Sequence, residues 1–195
     1  MLASITPLGE RGRHSHHVIT VIAFSLAGVL AGAALGAGLG ALGGLALGST
    51  GLALRLTALA IVLVAALAVD LLPGPVPGPR RQVNERWLDE YRGWVYGAGF
   101  GGQLGIGVST VVSSAATYAA LLAALLCGSA ASGAVILGSY GAIRGLTPLL
   151  AVRVRTPEQL LALHVRFARA QRPAAGAGHA LLAAATVLAA TGALA

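Results

Sequence analysis

The chain has 195 residues, of which 56% are hydrophobic and only 10% are charged, whereas an average soluble domain is roughly 25% charged. Such a composition excludes an ordinary water-soluble domain and indicates a protein of the lipid bilayer. The formal net charge of +7 comes from arginine alone, and the arginines lie in short segments between apolar runs. Membrane orientation therefore explains the basic charge better than nucleic-acid binding does.

Five apolar stretches follow one another along the chain and predict an all-α, polytopic transmembrane bundle. They cover residues 18–48, 53–72, 95–126, 130–152 and 176–194. A helix needs about 20 residues to cross a bilayer, so the second, fourth and fifth stretches fit single crossings. The first and third are about ten residues too long, and must tilt, extend beyond the bilayer or break. We predict one transmembrane domain with five helices.

Arginine counts give the orientation of these spans. Eleven arginines lie in the N-terminal segment and in the two loops 73–94 and 153–175, whereas the other two loops hold only Arg55. Because cytoplasmic loops are enriched in arginine, we expect the N-terminus and both long loops in the cytoplasm and the C-terminus outside. The expected location is the cell (cytoplasmic) membrane, crossed several times.

Glycine recurs at every fourth position of the first stretch, in the pattern of a glycine zipper. The six positions are Gly28, Gly32, Gly36, Gly40, Gly44 and Gly48. Small residues at this spacing let a second helix approach closely within a membrane. Four residues turn a helix by about 400°, so the stripe winds by about 40° per step and cannot face one straight neighbour throughout. Either one partner crosses along the groove, or two neighbours share the stripe. Packing inside the chain is the simpler interpretation, and self-association is the alternative.

Each long loop contains a predicted short helix. In the first loop, Asn84 caps a helix that carries Trp87, Tyr91 and Trp94 on one face, as an aromatic anchor at the membrane interface would. In the second loop, Thr156 caps a basic amphipathic helix. This helix lies on the membrane surface or docks a partner protein.

A polar strip follows the cluster of glycines around Gln103 in the third stretch. It consists of five hydroxyl side chains, Ser109, Thr110, Ser113, Ser114 and Thr117. One interpretation is a continuous helix whose hydroxyls bond back to their own backbone and contact a neighbouring helix. The other is a discontinuous helix whose glycine-rich part lines a cavity, as in transporters. The length and glycine content of the stretch favour the second interpretation.

Apart from Arg55 at the start of the second stretch, two charged side chains lie within apolar stretches. Arg144 is in the fourth stretch, and Asp70 is near the cytoplasmic end of the second. Because an intramembrane arginine is costly unless it faces the bundle or water, we expect an Asp70–Arg144 pair across the bundle. Alternatively, Arg144 extends to the interface and Asp70 is a solvated helix end. Pro148 removes a backbone hydrogen bond and predicts a kink beside Arg144.

The histidines and the cysteine offer no cofactor chemistry. His14, His16 and His17 form at most a weak metal site, and an interfacial basic cluster is the simpler interpretation. The single cysteine, Cys127, excludes an internal disulfide and a cysteine-built zinc site. The chain carries no recognisable catalytic or nucleotide-binding pattern, so we expect no enzyme activity, no bound metal and no cofactor.

Two sequence runs carry a resemblance to a known family. The first is the glycine-rich run 97–110, and the second is Leu137-Gly-Ser-Tyr-Gly-Ala-Ile-Arg-Gly-Leu-Thr-Pro148. They resemble the second half of DsbD-like transmembrane proteins, the thiol–disulfide carriers of cytochrome c biogenesis, which a broader superfamily groups with LysE-type exporters. The redox cysteine of that family is missing here, since Val108-Ser109-Thr110 stands near its place, and a six-helix arrangement would be one helix short. The resemblance therefore implies an exporter or a scaffold and not a thiol redox carrier.

Two hypotheses about function follow. The first is a small-solute exporter or permease, whose solute is an anion if Arg144 supplies the complementary charge. The predicted path is lined by Arg144, Asp70, Gln103, Ser109, Thr110, Ser113, Thr117 and Tyr140. The second is a non-catalytic membrane subunit or assembly factor that packs through the Gly28–Gly48 glycine stripe and docks a partner through the cytoplasmic helices. In both hypotheses the bilayer is the main partner, and nucleic acid is not bound.

Overall fold

The computed structural model describes residues 5–12, 15–79 and 86–194, and within these ranges it contains helices and no strand. The α-helices are α1 (Pro7–Gly12), α2 (His17–Leu47), α3 (Leu52–Leu71), α4 (Trp87–Glu90), α5 (Gly93–Ile106), α6 (Ala116–Leu126), α7 (Ala130–Gly145) and α8 (Pro157–Leu194). A short 3₁₀ helix covers Thr147–Ala151. Five residues on which the sequence predictions depend lie outside the described ranges. They are His14, Asn84 and three of the eleven arginines counted above, Arg13, Arg80 and Arg81.

Four segments are long and apolar enough to cross a membrane. They are α2, α3, α8 and the segment Ala130–Ala151, which joins α7 to the 3₁₀ helix. Many large apolar side chains on their outer faces are exposed, including Leu30 at 66% and Ile61 at 65%. Lipid accounts for such exposure, because water would disfavour it. The long apolar helices thus indicate a membrane protein built as a helical bundle.

The two overlong stretches behave differently from each other. The first is one unbroken helix, α2, of 31 residues. The third is interrupted, because α5 ends at Ile106 and α6 begins at Ala116. The interruption agrees with a discontinuous helix and overturns the continuous one, so the hydroxyl strip is not a helical ladder.

The C-terminal part of the chain corrects a prediction. The expected surface helix and the expected fifth span are a single helix, α8, of 38 residues with Pro173 inside it. Pro173 removes one backbone hydrogen bond, whereas ending one helix and starting another would leave several N–H and C=O groups without partners. Continuing the helix through the proline therefore satisfies more of the backbone.

The aromatic anchor also differs from the prediction. Helix α4 ends at Glu90, and the backbone of Tyr91 is extended, so Trp87, Tyr91 and Trp94 do not share one helical face. Instead, the Trp87 ring stacks on Phe100 of α5, with 6.1 Å between the ring centroids. Trp87 thus joins α4 to the core around Phe100, while Trp94 stays exposed.

Helix α2 is the centre of the bundle, and its glycines contact the backbone of two neighbours. Helix α7 runs antiparallel to it in four-residue steps, which bring together Gly28 and Gly141, Gly32 and Leu137, Gly36 and Gly133, and Gly40 and Ser129. Helix α5 runs parallel to it in the same steps, which bring together Thr20 and Gly97, Phe24 and Gly101, and Gly28 and Gly105. Two neighbours within the chain therefore share the stripe.

The winding of the stripe is visible at its C-terminal end. Gly43 replaces Gly44 as the buried glycine and lies against the Leu125 carbonyl. Gly48 is exposed and faces only its own helix. Packing of α2 thus passes from α7 to the end of α6 as the stripe turns.

Helices α3 and α8 form a second, antiparallel layer. Their directions follow from the contact of Leu56 with Gly192 at one end and from the cavity that Asp70 and His179 share at the other. Side chains, and not bare backbone, join this pair to α6. The shared core consists of Leu63, Ala66, Ala115, Ala119, Leu182 and Ala189.

Gly36→Ala tests the backbone contact at the centre of α2. An added Cβ would overlap the carbonyl of Gly133, whereas a Cβ on Gly38 meets nothing within 4 Å. We expect Gly36→Ala to lower the free energy of unfolding by about 1–3 kcal/mol and Gly38→Ala to change it by less than about 1 kcal/mol. Unfolding of the purified protein in mixed micelles measures both. Equal effects of the two substitutions would contradict this packing.

Candidate functional site

Two residues at the start of the break between α5 and α6, Gly107 and Ser109, stabilise its backbone conformation. Gly107 ends α5 with a φ of +81°, a conformation that side chains with a Cβ rarely adopt. A Cβ there would also lie 3.0 Å from a ring carbon of Tyr140. The Ser109 hydroxyl donates a hydrogen bond to the carbonyl of Gln103, which lies near the end of α5. The chain then runs without helix to Ala115.

Asp70 of α3 holds the start of α6. One carboxylate oxygen accepts a hydrogen bond from the Ser114 hydroxyl at 2.6 Å, and the other accepts one from the backbone N–H of Ala115 at 2.7 Å. The Ser114 hydroxyl in turn accepts a hydrogen bond from the N–H of Ala116 at 3.1 Å. Asp70 therefore acts as an N-cap supplied by another helix, and its negative charge lies at the positive end of α6.

Arg144 approaches the break from α7. It donates a hydrogen bond to the Tyr140 hydroxyl, and its guanidinium lies 5.4 Å from the centroid of that ring. The Tyr140 hydroxyl is 3.0 Å from the Thr117 hydroxyl of α6. These three side chains link α7 to the segment that follows the break.

The expected Asp70–Arg144 pair is therefore wrong. Asp70 is engaged by the start of α6, while Arg144 bonds to a residue one turn earlier on its own helix. Within the described ranges, no carboxylate pairs with Arg144.

Pro148 ends α7 where a kink was expected. The helix stops at Gly145, and the 3₁₀ helix begins two residues later. Two hydroxyls satisfy carbonyls at this end: Thr147 donates to the carbonyl of Arg144, and Ser25 of α2 donates to that of Gly145, both at 2.7 Å. The proline therefore terminates the helix, and a hydroxyl takes the place of the backbone N–H that it lacks.

A cavity of about 550 Å³ lies between the break, α3 and α8. Its polar lining consists of Asp70, Ser113, Ser114 and His179, and most of the remaining wall is valine, alanine and leucine. Volume and lining are those of an ordinary small-molecule pocket, since such pockets measure about 300–1,000 Å³ and are mostly apolar with few polar groups.

The residues of the predicted path fall into two groups at the break. Asp70 and Ser113 line the cavity, whereas Thr117, Tyr140 and Arg144 form the linked group on α6 and α7. The remaining members are Gln103, whose carbonyl accepts from Ser109, and Thr110, which is buried with no hydrogen-bond partner for its hydroxyl. Arg144 is not among the residues that line this cavity.

Some polar residues of the structure were not singled out by the sequence. Glu10 is 1% exposed and accepts hydrogen bonds from the hydroxyls of Thr20, at 3.0 Å, and Tyr96. An acid beside arginines in a terminal segment is typical of a solvated position, so nothing in the sequence indicated this burial. In the structure, Ile5 and Thr6 are buried nearby as well, and the segment is docked on the bundle. His179, inside the long helix α8, lines the cavity.

Two of the three clustered histidines lie at the start of α2, where His16 is the residue before the helix and His17 is its first residue, and His14 lies outside the described residues. In the described part of the chain, no three His, Cys, Asp or Glu side chains come together as potential metal ligands.

Comparison of the chain with protein-family models, with curated proteins and with solved structures found no match. The site must therefore be interpreted from its own geometry.

Asp70→Ala tests the capping role of Asp70. The substitution removes both acceptors from the start of α6, and loss of such a charged cap costs about 1–2 kcal/mol. We expect amide hydrogen exchange in residues 107–118 to become roughly tenfold faster. Exchange measured by mass spectrometry at fixed pH gives this rate.

Thr57→Ala is the control for this measurement. Thr57 lies on the same helix, but its hydroxyl donates only to the carbonyl of Ala53 one turn earlier. It should leave exchange in residues 107–118 unchanged. Unchanged exchange in Asp70→Ala would show that the cap does not hold the break.

Proposed function

We propose that the protein is a small-solute transporter, an exporter or permease of the cell membrane. The observation that carries this proposal is the interrupted helix, whose non-helical residues line a cavity together with the carboxylate of Asp70. Within a bilayer, irregular backbone is tolerated where it is buried in protein or faces water. Transporters place their solute sites at such interruptions.

The proposed topology has five crossings. Helix α5 begins beside Thr20 of α2, and α6 ends beside Gly43. These positions are about 35 Å apart along α2, which exceeds the hydrocarbon thickness of about 30 Å. We therefore count α5, the break and α6 as one interrupted crossing. The other four crossings are α2, α3, α8 and the segment that begins with α7. The distribution of arginine then puts the N-terminus in the cytoplasm and the C-terminus outside.

The packing supports a movable arrangement around the cavity. Helices α2, α5 and α7 are in backbone contact and form one tight body. The α3–α8 pair joins that body through small apolar side chains and through the hydrogen bonds of Asp70. Side-chain contacts of this kind can slide by small amounts, as in shear motion between packed helices. Movement of the pair would open the cavity toward one side of the membrane or the other.

The alternative of a subunit or assembly factor loses one of the two surfaces on which it depended, the glycine stripe. Gly28, Gly32, Gly36 and Gly40 are buried against the chain's own neighbours, so the stripe offers only its C-terminal end to a partner. The resemblance to DsbD-like and LysE-type proteins, with no cysteine at the break, is compatible with the exporter.

Access of water-soluble reagents to Ser113 tests the transport proposal. In a Cys127→Ala background, Ser113→Cys should react with a charged, membrane-impermeant thiol reagent from both sides of inverted and right-side-out vesicles. A transport path opens alternately to both sides, and Ser113 lines the cavity. Mass spectrometry of the labelled protein gives the reacted fraction.

Val64→Cys in the same background is the control. Val64 lies on the outer face of α3 and is 52% exposed, so in the membrane it faces lipid, and the charged reagent should not reach it. Labelling of Ser113→Cys from one side only, or from neither, would contradict a transport path through this cavity.

A further inference from the structure

We infer that the cavity beside the break binds a small organic cation, namely an ammonium group carried on an apolar body. If the protein is the transporter proposed above, this inference names the class of its solute. The binding of the cation does not depend on that proposal, whereas its transport does. Binding can be measured without transport. The inference replaces the anion that Arg144 suggested, because the charged side chain lining the cavity is Asp70.

The first step is the charge of the cavity. Asp70 is the only carboxylate among its described lining residues, and no arginine is among them. The hydrogen-bond partners of Asp70 are a hydroxyl and a backbone N–H, which are both neutral. The end of α6 contributes about half a positive charge at most. The cavity therefore keeps a net negative charge, which attracts cations and repels anions.

The second step is the free capacity of the carboxylate. An ionised carboxylate offers about four lone-pair directions, and each oxygen of Asp70 uses one of them in the capping bonds. By this count each oxygen keeps the capacity for one more hydrogen bond, and Asp70 lines the cavity. A primary ammonium would use these positions, and a quaternary ammonium would interact through charge alone.

The third step is the wall. Apart from its few polar groups, the cavity is lined by side chains such as Val69, Val111, Val112 and Leu182. An inorganic cation needs a shell of several oxygens, which such a wall does not supply. A cation with a hydrocarbon body gains from burial against the wall while its charge lies near Asp70. His179 is the other titratable group described in the lining, and its protonated form would oppose a cation.

The test is equilibrium binding of benzyltrimethylammonium to the purified full chain in lipid nanodiscs, with benzenesulfonate as the anionic probe. We expect saturable binding of the cation and none of the anion. Asp70→Asn removes the charge, while its amide oxygen still caps α6, and should weaken cation binding by roughly tenfold or more. Glu158→Gln, a matched change at an exposed position of α8, should not.

A second pair of variants keeps the charge of Asp70, and one of the two reduces the volume of the cavity. Gly178 lines the cavity and Gly176 does not, and a Cβ on either one meets no atom within 4 Å. We expect Gly178→Leu to weaken cation binding and Gly176→Leu to leave it unchanged, with both variants eluting as folded protein in size-exclusion chromatography.

The outcomes separate the two proposals. Binding of benzenesulfonate in preference to the cation, no cation binding at all, or cation binding that both Asp70→Asn and Gly178→Leu leave unchanged would overturn the cation site. Flux of benzyltrimethylammonium into proteoliposomes is then measured separately. Cation binding without flux would contradict the transport proposal and leave the binding site standing.

Discussion

Direct contact of helix backbones around α2 is the constraint on which the rest of the structure depends. Gly28, Gly32, Gly36 and Gly40 of α2 each meet a backbone carbonyl of α7, of its N-cap Ser129 or of α5. At this separation, dispersion and weak Cα–H···O contacts hold the helices together, because lipid competes with every ordinary apolar contact. The distances between the helix axes then fix where α7 presents Tyr140 and Arg144 to the break.

The site forms at the N-terminus of α6, which lies beyond the break. The break separates α6 from α5, so no preceding helical turn supplies carbonyls to the first N–H groups of α6. These groups need an acceptor from elsewhere. Asp70 supplies that acceptor and is thereby held at the edge of the cavity. A structural requirement, the capping of a half-helix, and a chemical property, a negative charge beside an apolar pocket, thus come from the same side chain.

Local signals in the sequence were sufficient for much of the fold. Glycine spacing predicted close helix packing, with either one crossing partner or two neighbours along the stripe, and the structure shows close packing with two neighbours. The signal at Thr156 was also correct, since its hydroxyl accepts a hydrogen bond from the N–H of Gln159 at 3.4 Å. The excess length and glycine content of the third stretch favoured the break. Each of these features depends on residues within a few turns of one another.

Pairings between distant residues could not be predicted in the same way. Asp70 and Ala115 are 45 residues apart. The prediction considered charge alone and therefore favoured Arg144 as the partner of Asp70. It did not consider that the N-terminus of a helix needs a hydrogen-bond acceptor. Glu10 and Tyr96 are 86 residues apart, and their contact depends on how the N-terminal segment docks. The continuity of α8 through Pro173 likewise reflects the cost of two new helix ends, which a local rule for proline does not include.

The register of the bundle also limits how its chain length can vary. Contacts of α2 with α5 and α7 repeat every four residues, in opposite directions along the chain. Inserting one residue between Gly28 and Gly40 would rotate everything beyond it by about 100° and turn the later glycines away from α7. Inserting four residues would rotate it by only about 40°. Insertions and deletions in this helix are therefore tolerable in whole turns.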